Sequence, residues 1–386
     1  MNFTQSQITT ILEEIVTKED GLNTILKLSL EALMKSERKE HNKSCNDLSN
    51  GYRKRRAFGD KQMIELQVPR TRQGVFYPII LGLLKNQEEE AKNIAFHLYK
   101  SGLTTDQVGD VFDEIYGKKY STSQVSRMFD GARKEVSLWL ERPIENYYPI
   151  IYIDATFIPT RRVDSVSKEA YYTLLGVLPD RTREVLGVYN FPTEGSSQWE
   201  AIFDDLKERG LHKVGLFVSD ALTGIEDAIW KKFSDASIQL CAIHLQRSFS
   251  KEVKPKHKAE LIEDFWDVFR TNDRHDTKEK AQERFYDFCT KWASFYPYFQ
   301  RRKTNPRNHL YFTYIQYDYR IRSMIYTTNW VERLNRDFKR TTRMRGALPN
   351  PESTILLLAG VAMNKKAYMR KVPKLNYEQD KFMWVE

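Results

Sequence analysis

Cysteine is scarce in this chain: Cys45, Cys241 and Cys289 are the only three in 386 residues. They are too few and too scattered for a disulfide framework, which argues for a soluble protein in a reducing, intracellular setting. The first residues, Met1-Asn2-Phe3-Thr4-Gln5-Ser6, lack the positive stretch and apolar core of a secretory leader. No apolar run approaches the roughly 20 residues that cross a bilayer, so no membrane partner is expected. Internal repeats and low-complexity tracts are missing too. So is a Gly-x-Ser-x-Gly elbow, which leaves Ser-His-Asp catalysis with little support.

What is present is a globular composition, 41% hydrophobic, with a surplus of positive charge, +9 at pH 7. The length suits two or three domains with real cores. The charge favours an acidic polymer as partner, nucleic acid first and an anionic membrane surface second.

Residues 1–60 read as a helical and then basic segment. Ile8, Ile11, Leu12 and Ile15 recur at helical spacing, as do Leu28, Leu30, Leu33 and Met34. The run Arg53-Lys54-Arg55-Arg56 follows, either a solvated charge run or a phosphate-contacting arm. In residues 61–145 the alternation Ile64-Glu65-Leu66-Gln67-Val68 predicts a strand. Its expected partner is Val75-Phe76-Tyr77, making a hairpin with Arg70 and Arg72 at the tip. From Glu88 to about Val136 three short helices are expected. They would bury Ala91, Ile94, Ala95 and Leu98, then Val108, Val111, Phe112 and Ile115, then Val125, Met128, Phe129 and Ala132. Gly117 makes the turn before the third. That fits a helix-turn-helix, with Ser121, Ser123, Gln124 and Arg127 facing a DNA major groove, or an ordinary three-helix bundle.

Residues 146–345 change character. Tyr147-Tyr148-Pro149-Ile150-Ile151-Tyr152-Ile153-Asp154 reads as a buried strand ending in a carboxylate. Two more strands follow, around residues 171–178 and 184–189, joined by a short turn. Then come a helix, a strand ending at Asp220, a second helix, and a strand over residues 238–243. The order β-β-β-α-β-α-β is that of an RNase H-like α/β fold, in which the first strand lies beside the fourth and would bring Asp154 next to Asp220. Residues 246–326 are helical and rich in aromatics at core spacing, and read as an all-helical insertion. Glu332 lies on a helix expected to start around Thr328, and its face continues through Asn335, Arg336, Lys339 and Arg343, while Val331, Leu334 and Phe338 lie on the side that docks. A C-terminal helical tail, residues 346–386, completes the chain.

A buried Asp needs a cation, a metal or a hydrogen-bond network to receive it. Three acids in these elements suit phosphodiester chemistry with two Mg²⁺ or Mn²⁺ ions, one at the attacking oxygen and one at the leaving oxygen. Each acid alone is ambiguous. Glu332 could simply pair with Arg336, and Asp164, Asp180, Asp204 or Asp227 could compete. Cys241-Ala242-Ile243-His244 offers two zinc-type ligands but no second pair nearby, so zinc is not expected. His244 and Arg247 are expected at the rim of the active site, supporting the acids or touching DNA.

On these residues the chain resembles the Mutator-type (MULE-related) transposases of bacterial insertion sequences. The matching stretches are Asn50-Gly51-Tyr52-Arg53, Ile64-Glu65-Leu66-Gln67-Val68-Pro69-Arg70, Tyr152-Ile153-Asp154-Ala155-Thr156, Leu206-Lys207-Glu208-Arg209-Gly210-Leu211, Val218-Ser219-Asp220-Ala221, Cys241-Ala242-Ile243-His244 and Thr327-Thr328-Asn329-Trp330-Val331-Glu332-Arg333-Leu334-Asn335. They run in family order across nearly the whole chain.

The resemblance implies a DDE triad of Asp154, Asp220 and Glu332, and a Cys241/His244 signature beside it. It implies a homodimer or larger assembly on terminal inverted repeats, in a bacterial cytoplasm and associated with the nucleoid. Trp330-Val331 departs from the Pro-Leu of many relatives and puts only the start of that helix in doubt. The expected activity is cleavage at transposon ends followed by strand transfer to target DNA. Arg53, Arg55, Arg70, Arg72, Arg336, Lys339 and Arg343 would neutralise backbone, and the preceding, mostly helical region would bind DNA. A non-catalytic DNA-binding regulator and an RNase H-like nuclease or resolvase are the alternatives.

Overall fold

A computed structural model of the chain describes residues 4–18, 20–162, 165–191, 195–363 and 372–377. It divides into two compact units, Met1–Arg133 and Lys134–Glu386.

The first unit opens with helices α1 (Gln5–Val16) and α2 (Gly21–Cys45), then a hairpin of β1 (Ser49–Phe58) and antiparallel β2 (Met63–Thr71). The hairpin turns where Gly59 N–H donates to Gln62 O at 2.8 Å. This corrects the expected pairing. The partner of residues 64–68 is the basic run itself, with Arg53 opposite Val68 and Arg55 opposite Leu66, and Val75, Phe76 and Tyr77 form no strand. A ladder of backbone hydrogen bonds does not depend on what the exposed side chains carry, so a strand can hide inside a charge run. The buried face is apolar: Ala57, Ile64, Leu66 and Val68 pack with Met34 and Leu81. Arg70 ends up in β2 and Arg72 just beyond it, at the end away from the turn.

Four helices follow: α3 (Ile80–Lys100), α4 (Thr105–Tyr116), α5 (Thr122–Met128) and α6 (Asp130–Leu140), the last crossing the boundary between the units. Helix α3 starts earlier than Glu88. The expected third helix breaks at Phe129, whose ring lies 5.6 Å from Phe96 and 4.8 Å from Tyr99. Helices α3, α4 and α5 pack on one another. Reciprocal capping boxes start two of them, Thr104 with Gln107 and Ser121 with Gln124, and each satisfies two helix-end donors. Gly117 ends α4 at φ +59°, with Lys61 O only 2.4 Å from where a Cβ would stand. Ile94 and Ile115, expected inward, are exposed, as are Leu28 and Leu33 on α2; Phe96 and Tyr99 are buried in their place. The side chains of Ile8 and Leu12 lie outside the described set.

The second unit is a mixed α/β structure. Its strands are β3 (Tyr147–Arg161), β4 (Val166–Val177), β5 (Arg183–Asn190), β6 (Lys213–Ser219) and β7 (Ser237–Leu240), with α7 (Ser196–Glu208) before β6 and α8 (Ile225–Lys232) before β7. They form one five-stranded sheet in the order β5-β4-β3-β6-β7. The first three strands are antiparallel neighbours, while β3–β6 and β6–β7 are parallel. Parallel pairs need crossovers, and α7 and α8 supply them. Trp199 of α7 meets Tyr172 at 4.7 Å and Phe203 meets Phe217 at 5.5 Å, closing one face of the sheet.

After β7 the described elements are helical: α9 (Ala242–Glu252), α10 (Lys258–Val268), α11 (Lys278–Ala293), α12 (Pro297–Lys303) and α13 (Tyr319–Ile325), with 3₁₀ turns between them. Aromatic rings fill this region, with Phe249 within 6.3 Å of Phe265, Phe285, Phe288 and Phe299. Helix α14 (Asn329–Thr342) then packs on β3, and α15 (Pro351–Met363) on β5 and β3. Of the expected C-terminal tail, residues 364–371 and 378–386 lie outside the described residues. Among the described residues no helix is long and apolar enough to cross a membrane.

Candidate active site

Register decides where the acids meet. The last β3–β6 pair is Ile153 with Ser219, so the next residue on each chain is an aspartate, Asp154 and Asp220. Side chains alternate along strands, so the two aspartates fall on the same face of the sheet. Asp154 does not end its strand, as the sequence reading had it. Strand β3 runs on to Arg161 against β4, and it is the ladder to β6 that stops at Asp154. Only 5% of Asp154 is exposed.

Helix α14 covers that face. Val331, Leu334 and Phe338 are fully buried on its docked side, at the predicted spacing. Its other side brings Glu332, Asn335, Arg336 and Lys339 to a cavity of about 330 Å³ that Asp154, His244 and Arg247 also line. Asn335 Nδ2 donates to Asp154 Oδ2 at 2.6 Å. Arg247 Nη1 donates to Glu332 Oε1 at 2.7 Å. Asp220 lines an adjoining cavity that shares His244 and Arg247 with the first. Its Oδ1 accepts from Ala221 N–H at 2.7 Å, and its Oδ2 lies 3.9 Å from His244 Nδ1.

These neighbours shift the titrations. Burial raises the Asp154 carboxyl from 3.8 to about 6, and nearby Glu332 pushes the same way; His244, Ala155 N–H and Asn335 work against it. For His244 burial opposes the charge, but Cys241 and the carboxylates of Asp220 and Asp154 outweigh it and raise the imidazole to about 9. The acids thus hold His244 in its charged form, while burial works against the charge of Asp154.

Cys241 is a buried structural joint beside the site. Strand β7 ends at Leu240, earlier than residue 243, and Cys241 begins α9. Its buried sulfur accepts from both Thr328 N–H and Thr328 Oγ1–H at 3.4 Å. Thr328 is the residue that starts α14, and its own carbonyl accepts from Glu332 N–H at 3.2 Å. Cys241 N–H donates to Ser219 O at 2.8 Å. One residue thus ties the strand before Asp220 to the helix of Glu332. The departure at Trp330 also has a partner, since the Arg183 guanidinium stacks 3.6 Å from its ring centroid.

Among the described residues no three His, Cys, Asp or Glu side chains are grouped so as to hold a metal ion as they stand. Arg247 and His244 occupy the cationic positions. The donor chemistry nevertheless fits a hard divalent ion. It consists of carboxylate oxygens together with Asn335 Oδ1, which is buried and has no hydrogen-bond partner among the described residues.

The remaining predicted contacts are scattered. Arg336, Lys339 and Arg343 are exposed along and just beyond α14. In the first unit Ser123 and Arg127 are exposed, while Gln124 is drawn back into the Ser121 capping box. Arg53, Arg70 and Arg72 are exposed, whereas Arg55 pairs with Glu88 at 3.0 Å. Asp204, a competing acid, is taken by Lys232 at 2.6 Å; Asp164 lies outside the described residues. Sequence reasoning missed Lys251, Tyr298 and Arg302, which line the cavity beside Asp220. The spacing of His244, Arg247 and Lys251, three and seven apart, was the available signal.

Comparison with known proteins adds a second line of observation. The family described as "Transposase, Mutator family" matches residues 3–371. The transposase for insertion sequence element IS905 of Lactococcus lactis subsp. lactis (strain IL1403) is 30% identical over 338 residues, covering 87% of this chain and 84% of that protein. The transposase for insertion sequence element IS256 in transposon Tn4001 of Staphylococcus aureus is 28% identical, with 93% of each chain covered. The transposase for ISRM3 of Rhizobium meliloti (strain 1021) is 27% identical over 94% of this chain and 91% of that protein.

Proposed function

We propose that this chain, which belongs to the Mutator family of transposases, cuts DNA at the ends of its element and joins them to target DNA through Asp154, Asp220 and Glu332. The observation that carries the reading is that Asp154 of β3 and Glu332 of α14 line one cavity and Asp220, just after the paired β6, lines another, and the two cavities share His244 and Arg247. The sheet order, three antiparallel strands followed by two parallel ones, supports an RNase H-like catalytic domain, and the helices between β7 and α14 read as its insertion.

Asp154, Asp220 and Glu332 would hold Mg²⁺ or Mn²⁺. When bound, such ions activate the attacking oxygen and stabilise the leaving one. The other tasks fall to the chain's own residues. Asn335 fixes the direction of the Asp154 carboxylate through its 2.6 Å hydrogen bond. Arg247 and His244 keep compensating positive charge among the acids, and both can turn to a phosphate oxygen. Arg336 and Lys339, on the cavity wall, and Arg343 beyond them offer charge to the DNA backbone on either side of the scissile phosphate. The helices of the first unit would read the terminal inverted repeat, with Ser123 and Arg127 exposed to do so. A DNA-bound homodimer or larger assembly would bring two ends together.

The test is to incubate purified chain with labelled terminal-repeat DNA from its own element and Mg²⁺, beside Asp154→Asn and Glu332→Gln. The expected result is end cleavage and joined products from the unaltered chain, with neither from either variant while binding persists. Joining that survives a substitution would remove that acid from the triad. Cleavage without joining would favour a nuclease or resolvase, and binding without cleavage a regulator.

A further inference from the structure

The cleft at the acids has two branches, and they differ in kind. One runs along α14 past Arg336 and Lys339, an exposed cationic stripe. The other, about 720 Å³, starts at Asp220 and runs between α9 and α12. On α9 its wall is His244, Arg247 and Lys251, residues three and seven apart and so on one helical face. On α12 its wall is Tyr298 and Arg302, one turn apart. Ser248 Oγ and Tyr298 Oη, 3.5 Å from each other, link the two walls.

The second branch has the chemistry of a nucleotide site. Cations track a phosphate backbone, and an aromatic ring gives a base a surface to stack on, whatever its sequence. The Arg302 guanidinium lies 5.3 Å from the Tyr311 ring centroid, and both residues line this branch. The volume is that of a small-ligand pocket, within about 300–1,000 Å³. A duplex is too wide for a cavity of this volume, but one or two nucleotides drawn out of it fit.

We propose that this branch captures an unpaired nucleotide adjoining the scissile phosphate, its base against Tyr298 and its phosphates on Arg247, Lys251 and Arg302. The α14 stripe then carries the paired DNA on the other side. This assignment rests on the proposed transposase chemistry for its position at the cut, but not for the binding itself. It gives a physical reason for a helical layer beside the sheet: it builds the second wall of a site that the sheet alone lacks.

Two measurements test it. In the first, terminal-repeat duplexes carry 2-aminopurine on one side or the other of the cleavage position. The full chain should change the fluorescence at one of the two, as the base leaves the duplex stack. Tyr298→Ala should lose the change and Tyr298→Phe should keep it. The second uses fluorescence anisotropy with a short oligothymidine strand. Tyr298→Ala and Arg302→Ala should each weaken its binding roughly tenfold, with duplex affinity unaltered. Oligothymidine binding equal to that of the unaltered chain in both variants overturns the proposal. So does end cleavage with no fluorescence change at either position. If oligothymidine binding falls as expected while no end is cut or bound, the nucleotide site stands and the transposase chemistry fails.

Discussion

Replacing Asp154 with Asn should make the metal-free chain more stable at neutral pH, although it should abolish cleavage. The carboxyl is almost wholly buried and titrates near 6 in the folded chain, against 3.8 unperturbed. Between those values the folded state keeps a proton that the unfolded state has released, so stability falls as pH rises through the window and stays lower above it. At about 1.36 kcal/mol per pH unit the ionised Asp154 costs the fold about 3 kcal/mol at pH 8 and only about 0.5 kcal/mol at pH 4. Asn has the same shape and carries no charge.

His244 runs the other way. Its raised titration, near 9 against 6.5, contributes stability that is fully present below about 6.5 and lost as pH rises through about 9. Removing the Asp154 charge weakens that contribution, so the net gain expected at pH 8 is about 1–3 kcal/mol. Urea unfolding in EDTA, with Asp154→Asn beside the unaltered chain at pH 4 and pH 8, measures it. Added Mg²⁺ should raise the unfolding midpoint of the unaltered chain and leave Asp154→Asn nearly unmoved. A variant that is no more stable at pH 8, or a difference independent of pH, would refute the claim that burial of this carboxylate is costly and awaits a cation.

Two further substitutions probe the supports of the site and of the first unit. Cys241→Ala removes the sulfur that accepts from both Thr328 donors, leaving them buried and unsatisfied. It should cost about 1–3 kcal/mol in denaturant unfolding, and Cys241→Ser should recover part of the loss. Gly117→Ala forces a side chain into a left-handed residue with a carbonyl oxygen 2.4 Å away. It should destabilise the first unit by more than about 1 kcal/mol, read as a lower melting temperature, while a stable variant would mean that the α4 end shifts freely.

Local patterns determined a good deal. The apolar run before Asp154, the strand before Asp220 and the 3.6-residue stripe of α14 are short-range features, because burial on one face writes its period into neighbouring residues. The docked side of α14 and the three-plus-two strand succession followed from that. The hairpin did not, because a strand whose exposed face is arginine and lysine carries no apolar alternation to find. Ile94 and Ile115 were misplaced for a related reason, since a helical period locates a face but not which of its edges another element covers.

The chain alone therefore set the strand and helix succession around the site and the docked face of α14. Tertiary structure decided the register that makes Asp154 and Asp220 neighbours. It also decided the Cys241 joint to Thr328, the Asn335 bond to Asp154 and the Arg247 pair with Glu332, contacts that reach across 85 to 181 residues. Each depends on two surfaces meeting in one orientation. A periodicity of two or 3.6 residues holds no record of that meeting, and the charge balance of the site exists only once it has occurred.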